Sequence, residues 1–179
     1  MITEQKKLLR RSIAELKGRY DFQWKCTSSS RICQHLENLD IFKSANTVLI
    51  YHALPDEVQT SQFLDRWFGK KRILLPLVVG NDLVLKEFSP DKIVPGYKGI
   101  PEPSLEARTV DPIEVELAVI PGVAFDKDCY RLGRGKGFYD RLIPHLDAPL
   151  VGLAFDFQIV DRVPVEIFDR KLDMVVTES

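Results

Sequence analysis

Cysteine is scarce in this sequence. Cys26, Cys33 and Cys129 are an odd number of thiols, and no two of them form a CxxC pair. A disulfide framework or a zinc site is therefore not expected, and a reducing compartment fits the composition better. We interpret the three cysteines as small packing residues.

Long apolar runs are also missing. The longest stretch, from Leu117 to Phe125, is interrupted by Pro121 and Gly122 and is too short to span a bilayer. The first seven residues contain two lysines and no apolar segment, so no signal peptide is predicted. These features predict a cytoplasmic protein that has no membrane partner.

The sequence shows no excess of positive charge. It has 25 Lys and Arg against 26 Asp and Glu, which gives a formal net charge of −1. Proteins that bind nucleic acid generally carry a basic excess, so no nucleic-acid partner is predicted and any anion site must be local. The 45% hydrophobic and 28% charged residues are typical of a globular protein, and 179 residues suffice for one domain.

Apolar segments of strand length alternate with helical segments along the chain. Helices are predicted at residues 3–19, about 28–38, about 60–69 and about 137–143. Buried strands are predicted at residues 47–51, 72–76, 83–88, 117–121, 151–155 and 174–177. The pattern predicts a single α/β domain over residues 1–179. Its mostly parallel twisted sheet is expected to be flanked by helices in a three-layer, Rossmann-like arrangement.

Residues 89–112 are rich in proline and glycine. This is long for a loop inside a compact domain, and ordered loops of such length are generally binding loops or lids. The segment is therefore a candidate to cover a ligand.

The most informative segment is Arg131-Leu132-Gly133-Arg134-Gly135-Lys136-Gly137-Phe138-Tyr139-Asp140-Arg141. It follows a predicted buried strand and precedes a predicted short helix. Its three glycines free the backbone to curl around a ligand, so that successive N–H groups can point at phosphate oxygens. Arg131, Arg134 and Lys136 add full charges, and arginine can bind two phosphate oxygens at once. The segment therefore predicts a polyphosphate site.

Other interpretations of this loop remain open on spacing alone. It is not a Walker A loop, which needs Ser or Thr directly after the lysine, and it is not GxGxxG. A solvated basic turn and an Arg-Gly contact to RNA are both compatible with it. A disordered RGG tract is disfavoured because the segment is short and lies between predicted ordered elements.

Asp140 lies at the start of the predicted short helix. Its carboxylate is either an ion-pair partner of the neighbouring cations or a ligand of Mg²⁺, which prefers one or two carboxylates together with nucleotide phosphates. A second carboxylate is then needed nearby. Asp169 and Asp173, just before the last predicted strand, are both candidates.

Glu57 follows the first predicted strand, at the edge of the sheet where ligands bind in α/β proteins. It either hydrogen-bonds a polar ring or amine, or serves as a capping or surface acid. His52 lies in the same segment, where a lone histidine is more often structural. Lys6 and Arg10 share one face of the first helix, and the residues alone favour a solvated face.

Taken together, these segments of the sequence resemble the 5-formyltetrahydrofolate cyclo-ligase family, whose members are also called methenyltetrahydrofolate synthetases. The loop at 131–140 carries most of the resemblance. The other similar segments, in the family's order along the chain, are residues 6–10, 56–58, 99–103, 117–126 and 169–173. The likeness extends from residue 4 to residue 177.

The resemblance implies an ATP-dependent closure of 5-formyltetrahydrofolate to 5,10-methenyltetrahydrofolate. ADP and phosphate are released after phosphorylation of the formyl oxygen. Arg134 and Lys136 are the implied catalytic residues, and Asp140 and Asp169 the implied ligands of an Mg²⁺ cofactor. The implied ATP-binding residues are Lys6, Arg10, Arg131, Leu132, Gly133, Arg134, Gly135, Lys136, Gly137, Phe138 and Tyr139. The implied substrate-binding residues are His52, Glu57, Arg134, Gly135, Lys136, Gly137 and Phe138.

Tyr97 and Phe138 are aromatic candidates for stacking on the flat rings of the substrates, with ordinary packing as the alternative. ATP and 5-formyltetrahydrofolate are the expected partners, and a monomer is expected. Two other functions remain open. One is an α/β enzyme that uses ATP or a phosphate ester with a different acceptor. The other is a non-catalytic nucleotide- or RNA-binding module, against which the near-neutral net charge counts.

Overall fold

The computed structural model describes residues 2–96 and 101–179. The helices of these residues are α1 (Ile2–Lys17), α2 (Phe22–Asn38), α3 (Asp40–Ser44), α4 (Ser61–Trp67) and α5 (Phe138–Leu142). The strands are β1 (Thr47–Leu49), β2 (Arg72–Val79), β3 (Asp82–Glu87), β4 (Ile93–Pro95), β5 (Pro101–Pro103), β6 (Thr109–Val110), β7 (Leu117–Ile120), β8 (Ala124–Asp126), β9 (Arg131–Leu132), β10 (Leu150–Leu153), β11 (Ile159–Val160) and β12 (Met174–Val176).

The main sheet of the described residues has the strand order β12-β10-β7-β1-β2-β3-β6. The five strands from β12 to β2 are parallel, whereas β3 and β6 continue the sheet antiparallel. Strands β7 and β10 are buried along their whole length, as expected for parallel strands covered on both faces. The predicted mostly parallel α/β sheet is confirmed.

Helices cover one face of this sheet. Leu36 of α2, Phe42 of α3 and Phe63 of α4 belong to one buried cluster with Val48 of β1 and Val119 of β7. Each of these side chains is at most 1% exposed. Burying side chains of this size stabilises the fold by roughly 1.5–3 kcal/mol each.

The opposite face of the sheet is covered by shorter elements. Leu142 of α5 and Phe125 of β8 pack with Leu49 and Ile120, which are the last residues of β1 and β7. Strand β8 also pairs with β9 and β11 in a small second sheet. Helix α1 lies against this second sheet, where Ile13 packs with Leu132 and Val163.

The central strand β1 lies between β7 and β2. The chain leaves β1 towards β2 and later returns on the other side as β7, so the direction of winding changes between β1 and β7. Ligands in open α/β sheets bind at the carboxyl ends of the strands at such a point. The topology therefore directs attention to the segments that follow β1 and β7.

The predicted start of the second helix was wrong. Helix α2 begins at Phe22, and Asp21 caps it by accepting a hydrogen bond of 2.7 Å from the Trp24 amide. Ser28, where the helix was predicted to begin, and Ser29 lie buried inside it. The Ser29 hydroxyl instead accepts a hydrogen bond of 2.9 Å from the Gln59 amide. Serine and aspartate share a cap preference, so only the fold distinguishes between them.

The proline- and glycine-rich segment has structure of its own. Strands β4 and β5 form a hairpin-like pair, and β6 adds to the edge of the main sheet. The buried Lys86 ammonium donates hydrogen bonds to the carbonyl oxygens of Leu105 (2.8 Å) and Ala107 (3.0 Å). Tyr97 lies outside the described residues, so its predicted stacking role stays a prediction.

Candidate active site

A β-hairpin directly before the glycine-rich loop sets the position of that loop. Strands β8 and β9 pair antiparallel, and the buried Asp126 carboxylate accepts hydrogen bonds from the amides of Asp128 and Tyr130, both at 3.0 Å. The same carboxylate accepts one of 2.9 Å from the Val163 amide. Cys129 in this turn has a positive φ of 65°, which is uncommon for a residue other than glycine. Asp126 thus fixes the approach to the loop, a role that the sequence analysis missed.

The glycine loop, residues 133–137, turns back between β9 and α5. Gly135 and Gly137 have φ values of 95° and 68°, in the left-handed region where a side chain would be strained. A Cβ atom on Gly137 would also lie 2.8 Å from the Arg141 guanidinium. Helix α5 follows directly at Phe138, close to the predicted short helix.

A cavity of about 430 Å³ lies between the start of α1, the glycine loop and the segment before β12. We refer to it as the charged cavity. Its charged lining residues are Lys6, Arg10, Arg131, Asp140, Arg141, Glu166 and Asp169. Leu132, Gly133, Gly135 and Gly137 also line it. The structure therefore brings together residues from both ends of the chain that the resemblance had assigned to ATP and metal.

Helix α1 contacts both walls of the charged cavity. The Lys6 ammonium donates hydrogen bonds to Asp169 (2.6 Å) and Glu166 (2.8 Å). Burial alone would lower the pKa of Lys6, but the hydrogen bonds to these two carboxylates raise it above its ordinary value. The Nε atom of Arg10 donates to the Gly133 carbonyl oxygen at 2.8 Å. The solvated helix face that the residues alone favoured is thus wrong for Lys6, which is buried.

Arg131 is the most deeply buried cation of this wall, with a side chain that is 3% exposed. Its guanidinium donates to Asp140 at 2.6 Å and lies over the Tyr139 ring at 5.8 Å from the ring centre. Burial lowers the pKa of Arg131, whereas Asp140 and Tyr139 raise it. Arginine nevertheless remains charged at any physiological pH. The Arg131 Nε atom is buried and makes no hydrogen bond to the described residues.

The two predicted metal ligands lie on this cavity and are held by cations. Asp140 uses its Oδ1 atom for Arg131, and Asp169 uses its Oδ2 atom for Lys6 and for the Glu166 amide. In the described part of the chain, their other carboxylate oxygens make no hydrogen bond. No group of three or more His, Cys, Asp or Glu side chains within residues 2–96 and 101–179 is arranged to hold a metal by itself.

Asp173, the alternative to Asp169, has another role. Its Oδ2 atom accepts a hydrogen bond of 2.7 Å from the Leu150 amide at the start of β10. It is not among the residues that line the charged cavity. The geometry therefore favours Asp169 over Asp173 as the partner of Asp140.

Arg134 points away from the charged cavity, towards the end of β1. Its Nε atom donates to Glu57 at 3.0 Å, and its Nη2 atom donates to Asp56 at 2.6 Å. Burial would lower the pKa of Arg134, but the charges of Glu57 and Asp56 raise it. The glycine loop thus has charged groups on two sides. One side faces the charged cavity, and the other faces the carboxylates after β1.

Glu57 is buried, which is unusual for a carboxylate unless it is paired. Besides Arg134, it accepts a hydrogen bond of 3.0 Å from the Leu54 amide. His52 in the same segment is half-buried, and its Nδ1 atom has no hydrogen-bond partner among the described residues. Burial lowers the pKa of His52, so the ring is neutral at neutral pH.

Of the remaining loop residues, Lys136 is exposed, whereas Phe138 and Tyr139 pack against other side chains. The Lys136 side chain is exposed, whereas its carbonyl oxygen accepts a hydrogen bond from Arg141. Phe138 lies under the Arg141 guanidinium at 5.5 Å, so one face of its ring is already covered. Burial raises the pKa of Tyr139, which packs against the core cluster that contains Leu142. This packing favours a structural role for Tyr139.

Two residues near the site had not been singled out from the sequence. Lys17, at the end of α1, donates to Asp56 at 3.0 Å. Phe168 lines the charged cavity although the residue is 61% exposed. Lys17 follows Arg10 by seven positions, so the helical period places it on the face that carries Lys6 and Arg10. That spacing was the available signal.

Comparison with known proteins identifies the family. A sequence profile of the 5-formyltetrahydrofolate cyclo-ligase family matches residues 2–178. The chain belongs to this family. The 5-formyltetrahydrofolate cyclo-ligase of Escherichia coli K12 is 36% identical over 144 residues, which cover 75% of this chain and 79% of the relative. That of Haemophilus influenzae is 29% identical over 181 residues, covering 96% and 97%.

Solved structures of cyclo-ligase family members have the same fold. The NMR structure of the Aquifex aeolicus 5,10-methenyltetrahydrofolate synthetase has a TM-score of 0.88 and 34% identity, and covers 97% of this chain and 89% of that one. The Mycoplasma pneumoniae 5,10-methenyltetrahydrofolate synthetase has a TM-score of 0.79 and 26% identity, covering 97% and 99%. The predicted family, fold and enzyme class are confirmed, whereas the roles of single residues stay predictions.

Proposed function

We propose that this cyclo-ligase uses ATP to convert 5-formyltetrahydrofolate to 5,10-methenyltetrahydrofolate, with release of ADP and phosphate. One observation carries the proposal. The glycine loop lies between the charged cavity, which suits a triphosphate, and Glu57 with Arg134, which suit a polar ring and its formyl group. Two substrates bound on these two sides would meet at the loop.

The nucleotide side needs groups that neutralise phosphate charge. We assign this role to Lys6, Arg10 and Arg131, together with the backbone amides of the glycine loop. The exposed Lys136 is free to reach the transferred γ-phosphoryl group. Phosphoryl transfer depends on such positioning and charge neutralisation more than on covalent chemistry by the protein.

The acceptor side needs groups that orient a poor electrophile. A formamide carbonyl becomes reactive once its oxygen takes the γ-phosphoryl group, because phosphate is then the leaving group. The neighbouring amine of the tetrahydrofolate attacks the formyl carbon, the carbon–oxygen bond breaks, and phosphate departs together with the proton that the amine loses. Glu57 accepts a hydrogen bond from the folate, and Arg134 lies beside the formyl oxygen. Holding the amine next to one carbon supplies the advantage of proximity.

We further propose Mg²⁺ as the cofactor, held by Asp140 and Asp169 together with phosphate oxygens. The support is that both carboxylates line the charged cavity and each keeps one oxygen uncommitted in the described structure. Mg²⁺ prefers one or two carboxylates plus nucleotide phosphates. Bound there, it would neutralise charge on the phosphates.

The direct experiment is a spectrophotometric assay of the purified protein with 5-formyltetrahydrofolate. We expect the absorbance of 5,10-methenyltetrahydrofolate to appear only when Mg-ATP is added, with one ADP released per product. Product formation without ATP, or ATP hydrolysis that does not depend on the folate, would contradict the proposal.

The protein's organisation and location are also proposals. We propose a single cytoplasmic domain that acts as a monomer without nucleic acid or membrane. The net charge of −1 supports the absence of a nucleic-acid partner. No described helix is both long and apolar enough to cross a bilayer. Light scattering after gel filtration tests the oligomeric state, and a dimer mass would contradict the monomer.

A further inference from the structure

Lys17 is a buried lysine at the end of α1, far along the helix from the charged cavity. Its residue is 5% exposed, and its ammonium donates to the Asp56 Oδ2 atom at 3.0 Å. A buried ammonium without a partner would cost several kcal/mol, so this contact is needed to keep Lys17 charged in its place. Burial lowers the pKa of Lys17 below its ordinary value, and the charge of Asp56 offsets only part of this effect.

Asp56 joins this lysine to the glycine loop. Its Oδ2 atom accepts from Lys17, and its Oδ1 atom accepts from the Arg134 Nη2 atom at 2.6 Å. The Arg134 Nε atom donates in turn to Glu57 at 3.0 Å. The four side chains therefore form one row, Lys17–Asp56–Arg134–Glu57, with two positive and two negative charges.

The charge balance of this row depends on Lys17. Without it, Asp56 and Glu57 share Arg134 as their only cation in the part of the chain that the structure describes. The Asp56 side chain is 42% exposed, so it can rotate into water once the lysine no longer holds its Oδ2 atom. Arg134 then keeps only its contact to Glu57, and its guanidinium is no longer fixed between two carboxylates.

We propose that Lys17 is a positioning residue, which acts through Asp56 to fix the Arg134 guanidinium beside Glu57 on the acceptor side of the site. The inference rests on the proposed function, because it concerns the place where the folate would bind. Lys17 itself contacts neither substrate in this arrangement. Its effect is on the acceptor half of the reaction and leaves nucleotide binding unchanged.

Kinetics of Lys17→Met test the proposal, since methionine keeps an unbranched apolar stem and removes the charge. We expect kcat/KM for 5-formyltetrahydrofolate to fall about tenfold, which corresponds to the loss of one charge-assisted hydrogen bond. The KM for ATP should remain within about twofold. Lys17→Arg should restore most of the activity. The matched control is Lys7→Met, because Lys7 is exposed on the same helix and the charge change is identical.

A double-mutant cycle separates positioning from a loss of stability. If Lys17 acts through Asp56, the variant with both Lys17→Met and Asp56→Asn should be no worse than Asp56→Asn alone. Additive losses would overturn the proposal. So would a lower unfolding temperature of Lys17→Met with unchanged folate kinetics. Should Lys17→Met fail to fold, the comparison of Lys17→Arg with Asp56→Asn still decides, because only the second should raise the KM for the folate.

A substrate-free measurement distinguishes failure of this inference from failure of the proposed function. The Arg134 Nε–H signal in an arginine-selective ¹⁵N NMR spectrum is assigned by its loss in Arg134→Lys. We expect that signal to shift or broaden in Lys17→Met and to stay in place in Lys7→Met. An unmoved signal in Lys17→Met overturns the inference even if the wild-type protein is active. A wild-type protein that turns over no folate would instead refute the proposed function.

Discussion

Arg131 and Asp140 form an ion pair of 2.6 Å inside the charged cavity. The Arg131 side chain is 3% exposed and that of Asp140 is 27% exposed. The buried arginine therefore holds the carboxylate in place, while Asp140 lines the cavity. The pair therefore reconciles two alternatives that the sequence had left open. Asp140 is a partner of a cation, and its second carboxylate oxygen, which makes no hydrogen bond in the described part of the chain, is the one that we propose for the metal.

The first prediction concerns Asp140. In Asp140→Asn the amide oxygen can still accept from Arg131, but the negative charge that would attract Mg²⁺ is lost. We expect the Mg²⁺ concentration for half-maximal activity to rise about tenfold or more at fixed ATP. Asp147→Asn, which removes an exposed carboxylate, serves as the control. Superimposable Mg²⁺ titrations of wild type and Asp140→Asn would remove Asp140 from the metal site.

The second prediction concerns Lys136. Its exposed side chain makes no hydrogen bond or ion pair in the described part of the chain, so Lys136→Ala should change the free energy of unfolding by no more than about 0.5 kcal/mol. We expect kcat to fall by a factor on the order of 100 to 1,000, because the lysine is assigned to the transferred phosphoryl group. Lys127→Ala, also exposed, should be normal. Near-normal kcat in Lys136→Ala would refute the catalytic assignment.

The third prediction concerns Phe168 and the base of the nucleotide. Phe168 lines the charged cavity, whereas its neighbour Ile167 is 97% exposed and does not line it. Stacking of a base on an aromatic ring contributes about 1–3 kcal/mol. We therefore expect Phe168→Ala to raise the KM for ATP about tenfold, while Phe168→Tyr and Ile167→Ala leave it unchanged.

A competitor without a base checks this assignment. Inorganic tripolyphosphate should inhibit wild type and Phe168→Ala with the same inhibition constant, since only the base is expected to touch the ring. If Phe168→Ala weakens tripolyphosphate as much as ATP, the ring supports the cavity wall and does not contact the base.

The fourth prediction concerns pH. Burial would raise the pKa of Asp56, but the charges of Lys17 and Arg134 outweigh it and lower that pKa below its ordinary value. Stability from this group is therefore present above about pH 4 and is lost as the pH falls, since the unfolded chain binds the proton first. Wild type and Asp56→Asn should differ most in urea midpoint near pH 7 and converge as the pH falls below about 4. A difference that stays constant with pH would contradict the assignment.

The main sheet could be predicted from the sequence because its inner strands are short uninterrupted apolar runs. Strands β7 and β10 are buried on both faces, so every residue in them is apolar or small. The hairpin of β8 and β9 could not be predicted. Its strands have three and two residues, too few to show a period, and it depends on the buried Asp126 carboxylate for its turn.

The site could be predicted only in part from the residues themselves. The loop from Arg131 to Arg141 indicates phosphate binding by composition. The spacing of Lys6 and Arg10 indicates that they share one face of the helix. It does not indicate which part of the protein that face packs against. Family resemblance supplied that link, and the structure places both side chains on the charged cavity. The role of Lys17 could not be predicted, because a lysine at the end of a helix is usually exposed. Its burial follows from where α1 lies on the second sheet.

The contacts of Lys6 also have a consequence for synthesis of the protein. Its two carboxylate partners, Glu166 and Asp169, lie 160 and 163 positions further along the chain. A nascent chain on the ribosome therefore lacks one wall of the charged cavity until Asp169 has been added. The sheet strands up to β10 can pair earlier, whereas the proposed nucleotide site is completed only after Asp169 has been added.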